Sequence, residues 1–551
     1  MSLPRMALTA ATLLFHFTSG GSLQAEESKT DAAKPNVLVI LADDLGYSDL
    51  GCYGGEIETP QLDRLAENGL RFTQFYNTAK CHSSRISLLT GRYPYQAGIA
   101  EDGNKSIDRS TTIAENLSAQ GYYTAMVGKW HLNNEPQDYG FGRYFGHLSG
   151  ATNYFSGDNT WRLDREAWSI PTTGFYATTD KADYALTFLD EARQGDGDQP
   201  WFLYMAFNAP HAPLQPLRED YEKYEELYEK GWDEIHAARI ARQKSMALFD
   251  HNVDVPSRPE HIPAWKDLSA AQRNFEVRRG AAYAALVDRL DQEIGRIVED
   301  IEQAGELDNT IILFLSDNGA CPYERPSKGR ELFPYDRASN WNDSTGWAWA
   351  RNAPFRMYKQ NQYEGGSSTP AVVHWPAGLK TKAGSTVSTP VHIIDILPTI
   401  AEVTQTDIPS AWPRRDLTNV AGESFASLLA GGKFSRENPI FLQFQTDRGL
   451  RDGDWKIVNL QGGPWELYNI KQDRAEQTNL ADKYPERVKS MEKQWTSMGT
   501  DTAHLMSRLV KPLPKGNNDA APIHWEWSDY QSDPSTTISE ASAKRENPKR
   551  K

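Results

Sequence analysis

The chain has 551 residues and a formal net charge of −15, with 39 % hydrophobic and 11 % aromatic residues. That length supports a large domain with a smaller one beside it. The acidic balance argues against nucleic acid or an anionic membrane as the main partner, so any anion site must be built locally from a few placed Arg and Lys side chains and a metal.

The N-terminus reads as an export signal. Arg5 gives a positive start, Met6–Phe17 is mostly apolar though interrupted by His16, and small and polar residues lead to Ala25, where cleavage is expected. Residues 1–25 are therefore read as a signal peptide and residues 26–34 as a flexible lead-in. No later run is long and uncharged enough to span a bilayer, so the mature chain is expected to be periplasmic or extracellular.

Asn36–Ala42 is a continuous apolar run that predicts a central strand of a parallel sheet. It ends in Asp43-Asp44. Two adjacent carboxylates at the C-terminal end of a buried strand repel each other unless a cation compensates. Ligand sites of open α/β sheets lie along that edge; the alternative is a solvated turn. Thr59-Pro60 opens a helix with Thr59 as its cap, and Leu70–Tyr76 predicts the next strand. That strand leads into Lys80–Arg92, Lys-Cys-His-Ser-Ser-Arg-Ile-Ser-Leu-Leu-Thr-Gly-Arg. Ser83 or Ser84 is expected to cap a helix here, with Ile86, Leu88 and Leu89 pointing into a core. Cys81 then stands just ahead of the helix and beside Arg85, where partial and full positive charge converge.

Thr112–Gln120 predicts a helix, and Tyr122–Val127 a strand that ends in Gly128-Lys129-Trp130-His131. The stretch 140–179 reads as loop-rich. Lys181–Ala192 predicts a helix, and Trp201–Phe207 a strand running into Asn208-Ala209-Pro210-His211, where prolines 210 and 213 restrict the backbone around the histidine. Residues 214–275 read as a charged, helix-forming insertion without a catalytic motif, and Val277–Ala304 as a long amphipathic helix. Thr310–Leu315 predicts a buried strand ending in Ser316-Asp317-Asn318-Gly319. Residues 341–376 read as a loop delivering Lys359, a turn at Gly365-Gly366 and a further strand, followed by a helix over Asp395–Val403. Polar, chemically capable residues thus cluster at strand ends, which predicts an α/β fold: a large mixed, mostly parallel sheet sandwiched by helices, with one active edge.

Residues 35–433 are read as the catalytic domain. Beyond them, short strands at Pro439–Gln443, Trp455–Asn459 and Trp465–Tyr468 and a helix over Pro485–Met498 predict a small antiparallel α+β subdomain spanning residues 434–514. Residues 515–551 are polar and read as a poorly ordered tail. Three cysteines make no disulfide framework. Cys52 and Cys321 each follow an acidic loop and are read as neighbours, either bridged or as two buried thiols. Trp341, Trp347 and Trp349 fall in loop-like sequence and read either as packing or as the wall of a sugar-binding cleft.

Asp43, Asp44, Asp317 and Asn318 offer four oxygen-bearing side chains. These hard oxygen ligands suit calcium or magnesium rather than zinc. Calcium fits better if one carboxylate is bidentate.

The Cys81 stretch resembles the sulfatase signature Cys-x-Pro-Ser-Arg followed by Leu-Thr-Gly-Arg, matched at Cys81, Ser84, Arg85, Leu89, Thr90, Gly91 and Arg92. Pro35–Gly46, Thr59–Ala66, Gly128–His131, His211, Ser316–Gly319 and Lys359–Gly366 resemble further blocks of that family, in its order. The chain is identified as a member of the type I sulfatases, which are formylglycine-dependent, arylsulfatase-like enzymes of the alkaline phosphatase superfamily.

The resemblance implies an alkaline-phosphatase-like fold and assigns roles. A formylglycine-generating maturation enzyme converts Cys81, and Asp43, Asp44, Asp317 and Asn318 bind Ca2+ (or Mg2+) together with residue 81. One hydroxyl of the formylglycine hydrate attacks sulfur and the other later expels sulfate. Arg85 holds the hydrate, His131 helps remove its proton, Lys129 and Lys359 neutralise the sulfuryl oxygens, and His211 protonates the leaving alcohol, with Lys359 as a second donor. Ser83 departs from the usual proline, which bears on recognition by the maturation enzyme. Ser367-Ser368 stand where many members carry an apolar residue and an arginine, and His82 matches no family role. The expected activity is hydrolysis of sulfate monoesters, on carbohydrate or aryl groups. The alternatives are a phosphonate monoester or phosphodiester hydrolase of the same superfamily, and a non-catalytic binder of sulfated glycans if Cys81 stays unconverted.

Overall fold

Strand β1 (Asn36–Asp43) is buried along all but its first residue, because its side chains feed two separate cores. Leu38, Ile40 and Ala42 face one layer, with Ala281, Leu286 and Leu290 of the long helix Ala270–Gln303. Val37, Val39 and Leu41 face the other, with Ile396, Leu397 and Ile400 of the helix Ile396–Val403. This is the period-two alternation of a strand covered on both faces. The structure, a computed structural model, describes residues 34–98, 105–195, 199–249, 255–323 and 331–500. The expected signal peptide and tail lie outside the described residues, as does all but the last residue of the expected lead-in.

Strands β1 to β11 build one sheet. In chain order the others are β2 (Leu70–Tyr76), β3 (Tyr123–Lys129), β4 (Arg143–His147), β5 (Trp161–Leu163), β6 (Glu166–Ala167), β7 (Trp201–Pro210), β8 (Thr310–Ser316), β9 (Ser368–His374), β10 (Ser385–Val387) and β11 (Val391–His392). The spatial order is β10-β2-β9-β8-β1-β7-β3-β4-β5-β6, with β11 also on β2. β8, β1, β7, β3 and β4 run parallel. β9 is antiparallel to both β8 and β2. The sheet is therefore mixed and mostly parallel in its centre, as the strand–helix alternation predicts. The parallel run sets the C-terminal ends of β1, β3, β7 and β8 along one edge.

Within the stretch read as loop-rich, β4 is a full member of the sheet, in parallel register with β3 from Ala125–Arg143 to Lys129–His147. Its sequence, Arg-Tyr-Phe-Gly-His, lacks an apolar run. It is ordered by close approach to β3, where Gly146 (φ 152°) lies against the backbone of Gly128 and leaves no room for a Cβ.

Two expected caps differ. Thr59 occupies the cap position of the helix Pro60–Glu67, but its hydroxyl bonds Asp63 Oδ1 (3.2 Å) and accepts from Gly51 N (2.9 Å). The helix after β2 runs Cys81–Thr90 with Lys80 at the cap position, so Ser83 and Ser84 lie inside it. Ser84 Oγ instead takes the Thr78 N–H (3.2 Å) and pins the loop before the cysteine. Cys81 is thus the first residue of the helix rather than a residue ahead of it.

Trp341, Trp347 and Trp349 are core residues, none more than 4 % exposed. Trp341 stacks on Phe275, Trp347 meets Tyr228 and Trp232, and Trp349 stacks on His236. Packing, not a sugar cleft, is their role. Cys52, Cys81 and Cys321 are all free and buried. Cys52 sits by Asp63 and Arg71, and Cys321 by Asp44 and Asp343. Of the two readings of Cys52 and Cys321, buried thiols hold. No helix among the described residues is long and apolar enough to cross a membrane.

A second, antiparallel sheet follows: β12 (Ile440–Phe444), β13 (Asp447–Asp452), β14 (Trp455–Asn459) and β15 (Glu466–Asn469), in that order. β13, Asp-Arg-Gly-Leu-Arg-Asp, has little hydrophobic pattern and is recruited by pairing on both sides. The helix Pro485–Thr500 covers this sheet, with Trp495 stacked on Phe441 at 5.3 Å.

Buried charges tie the second sheet to the first. Lys456 on β14 pairs with Glu364 (2.8 Å) and Glu476 (2.9 Å), all three side chains fully buried. Glu364 also pairs with Arg474 and accepts from Tyr76 on β2. Lys456→Met would leave two buried carboxylates short of positive charge and should destabilise the fold by about 3 kcal/mol, read as a lower denaturant midpoint.

His236, stacked on Trp349 at 3.8 Å, is held down to about 3 by burial and then by Arg239. An unfolded histidine titrates near 6.5. The unfolded chain therefore takes up the extra proton, and stability contributed here falls as pH drops below 6.5. In His236→Phe the stability lost between pH 6.5 and 5 should shrink by about 2 kcal/mol, measured by urea unfolding at both pH values.

Candidate active site

The four parallel strands, the helix Cys81–Thr90 and the loop that carries Lys359 bring all ten residues singled out in the sequence to one place. Asp43 ends β1 and Asp44 follows it with left-handed backbone (φ 68°). Lys129 ends β3, and His131, two residues on, is also left-handed (φ 57°). Non-glycine residues seldom adopt this region, and such strain gathers at functional sites. His211 follows β7, and Asp317 and Asn318 follow β8. Lys359 comes from the loop before the short helix Glu364–Ser367.

Electrostatics organise the cluster. Asp43, Asp44, Asp317 and Asn318 are fully buried. Lys129 pairs with Asp43, and Lys359 with Asp44 at 2.5 Å. Arg85 donates to Asp317 Oδ2 (3.1 Å) and to the Lys129 carbonyl (2.9 Å), and lies 3.7 Å from Asp43. Asn318 Nδ2 donates to Asp44 Oδ1 (2.6 Å), and the Asp44 N–H to Asp317 Oδ1 (3.3 Å). His211 Nε2 faces Asp44 Oδ2 at 3.6 Å, while its Nδ1 is 2.5 Å from the Ala212 carbonyl. That second contact gives Nδ1 the donor role and leaves Nε2 toward the site. Tyr154 donates its hydroxyl to the Asn208 and His211 carbonyls (3.0 Å each) and holds the His211 turn.

The protonation states follow. Burial opposes charge on Asp44, but Lys359 and then His211 outweigh it and hold the carboxyl well below the usual range. Burial and the neighbouring Asp43 push Asp317 up, against Arg85. Burial also raises the Cys81 thiol, yet Lys129, Lys359 and His131 together bring it well below an ordinary cysteine. Burial keeps the His131 imidazole neutral, down to about 3.

Three oxygens in this cluster have no hydrogen-bond partner although they are buried: Asp43 Oδ1, Asp44 Oδ2 and Asn318 Oδ1. Unsatisfied buried acceptors are costly and rare. Three of them on adjacent strand ends, all hard oxygen donors, fit a calcium- or magnesium-type cation. Asp43, Asp44 and His211 also form a compact group able to hold a metal.

Some neighbours gave no usable signal in the sequence. His82 packs edge-on to His131 at 5.6 Å and shares a compact group with it and Cys81. Lys80, next to Cys81 in sequence, and Lys105, remote from it, both act on the Cys81 charge environment. Asp343, paired with Arg351 (2.9 Å), lies by Asp44 and Cys321. The Thr90-Gly91-Arg92 end of the signature is structural: Gly91 (φ 65°) closes the helix, and Arg92 donates to Thr90 and Thr418 carbonyls. At Ser368 an arginine arrives from elsewhere in the chain, Arg474 donating to its hydroxyl (3.0 Å).

The family model for Sulfatase matches residues 35–406. This chain belongs to the sulfatase family. It is a sulfuric ester hydrolase. The arylsulfatase of Klebsiella aerogenes is 31 % identical over 462 residues, 77 % of this chain and 97 % of its own. The N-acetylglucosamine-6-O-sulfatase of Bacteroides thetaiotaomicron is 27 % identical over 518 residues, 83 % of this chain and 85 % of its own. The solved structure of Ps i-CgsB in complex with k-i-k-neocarrahexaose matches with a TM-score of 0.61 at 25 % identity, over 84 % of this chain and 93 % of that one.

Proposed function

We propose that this sulfatase hydrolyses sulfate monoesters on carbohydrate to an alcohol and inorganic sulfate, with Cys81 converted to formylglycine and calcium held by Asp43, Asp44, Asp317, Asn318 and residue 81. Residues 35–433 are its catalytic domain, residues 434–514 its second subdomain, and residues 1–25 its export signal. The observation that carries the reading is the trio of unpartnered buried oxygens beside Cys81. The named sugar sulfatase and the oligosaccharide complex among the comparisons support a carbohydrate substrate.

A bound cation polarises a sulfate oxygen as a Lewis acid, and the formylglycine hydrate supplies a nucleophilic hydroxyl that a thiol lacks. The chain's own residues do the rest. Lys129 and Lys359 each carry three ammonium hydrogens, so each can keep its carboxylate and still donate to a sulfuryl oxygen as charge develops. Arg85 holds Asp317 and the Lys129 backbone in fixed geometry. His131, neutral through burial, keeps an unprotonated ring nitrogen beside residue 81 that can hydrogen-bond the hydrate's second hydroxyl as its proton leaves. His211, with Nδ1 engaged by Ala212, turns Nε2 toward the leaving oxygen.

Mass spectrometry across Cys81 in protein from its native host should show a loss of about 18 Da, the thiol-to-aldehyde change. Cys81→Ala should lose at least about 10³-fold in turnover of an aryl sulfate. An unconverted but active chain would overturn the nucleophile, and a strong preference for aryl phosphonate over the matched aryl sulfate would overturn the substrate class.

Chelation by EDTA should lower the melting temperature, and calcium at about 100 times its Kd should restore about 2.7 kcal/mol of stability. Asn318→Leu should weaken that response. A melting temperature indifferent to EDTA and calcium would remove the cation from the reading.

A further inference from the structure

Charge around the pocket does not balance. Asp43, Asp44 and Asp317 are matched by Lys129, Lys359 and Arg85. A divalent cation at the orphaned oxygens would only add positive charge. Two more ammonium groups stand beside this set. Lys80, half-buried at the start of the Cys81 helix, lies near Lys359 and places its Nζ 5.8 Å over the Phe444 ring. Lys105, also half-buried, lies near Lys129, and its carbonyl receives the Asn133 N–H (3.4 Å) two residues beyond His131. No carboxylate among the described residues forms an ion pair with either lysine.

Both lysines stand near Cys81, Lys80 by Lys359 and Lys105 by Lys129. The His82 ring is edge-on to both His131 (5.6 Å) and Phe444 (6.1 Å) and lies near both lysines. A half-buried ammonium that forms no ion pair with a carboxylate of the described residues is poorly compensated for its lost hydration. In a chain of net charge −15, this local gathering of cations beside Lys129 and Lys359 stands out. A single sulfate ester brings one negative charge, which Lys129 and Lys359 already address.

We propose that Lys80 and Lys105 bind a second anionic group of the substrate, a sulfate or carboxylate close to the sulfate being hydrolysed. The inference rests on the sulfatase reading of the Cys81 site. It narrows the substrate class to multiply anionic saccharides, with Phe444 and His82 forming the face against which the sugar lies. The preference comes from charges that are only half-buried, so it weakens as ionic strength rises.

The test compares matched monosulfated hexoses, disulfated hexoses and sulfated uronic acids. Wild type, Lys80→Gln, Lys105→Gln and Lys80→Arg are assayed, with rates taken per formylglycine so that altered conversion cannot mimic altered specificity. Binding of the same compounds to each lysine variant in a Cys81→Ala background, by calorimetry, gives a readout independent of turnover. Wild type should favour a doubly anionic sugar by about tenfold or more in kcat/KM and in Kd. Each glutamine variant should cut that ratio about three- to tenfold, and Lys80→Arg should retain it. The uronic acid arm tells whether carboxylate serves as well as sulfate.

If wild type hydrolyses monosulfates and doubly anionic sugars equally, or if neither glutamine variant changes the ratio, the second-anion proposal is wrong while the sulfatase reading stands. If converted wild type hydrolyses no sulfate ester at all, the functional reading falls and takes this one with it.

Discussion

Three carboxyl groups and an amide oxygen are crowded, fully buried, at the end of a parallel sheet, and much of the site answers that constraint. Buried carboxylates demand opposite charge at short range. Arg85 comes from the helix after β2, Lys129 from β3 and Lys359 from a loop more than 300 positions after Asp43 in the chain. Each supplies one of the balancing charges. What remains unbalanced is informative. Among the described residues, three oxygens lack donors, which a hard cation would satisfy, and Lys80 and Lys105 form no ion pair with a carboxylate, which a second anionic group would supply.

The same constraint explains the local backbone. Asp44 and His131 both take left-handed conformations directly after sheet strands. Those turns bring polar side chains back over the strand ends. The strain is tolerable because the sheet beneath is packed on both faces by separate cores.

The C-terminal sheet contributes a residue to the surroundings of Cys81. The Lys456–Glu364–Glu476 network holds it to the main sheet through groups with no access to water. Docked in this way, β12 carries Phe444 to the rings of His82 and the ammonium of Lys80. A residue far along the chain thus meets two that flank Cys81.

Much of this was legible in the sequence. Continuous apolar runs marked β1, β7 and β8, because a strand buried on both faces has no polar side. Chemically capable residues at the ends of those runs and of β3 marked the edge where Asp43, Asp44, Lys129, His211, Asp317 and Asn318 meet. The Lys80–Arg92 motif marked the helix that presents Cys81. Other features had no local signature. β4 and β13 are polar and short, and exist because neighbouring strands pair with them. Ser83 and Ser84 read as caps by propensity, but the helix begins earlier. The tryptophans that suggested a sugar cleft are packed in the core, since burial depends on what surrounds a side chain, not on the loop that carries it. The sequence by itself determined the sheet, its edge and the list of reactive groups, because hydrophobic periodicity and residue chemistry are local properties. Only the tertiary structure decided which charges neutralise one another and which oxygens and lysines remain unmatched. Coulomb energies in a buried site depend on separations of a few ångströms between residues far apart in the chain.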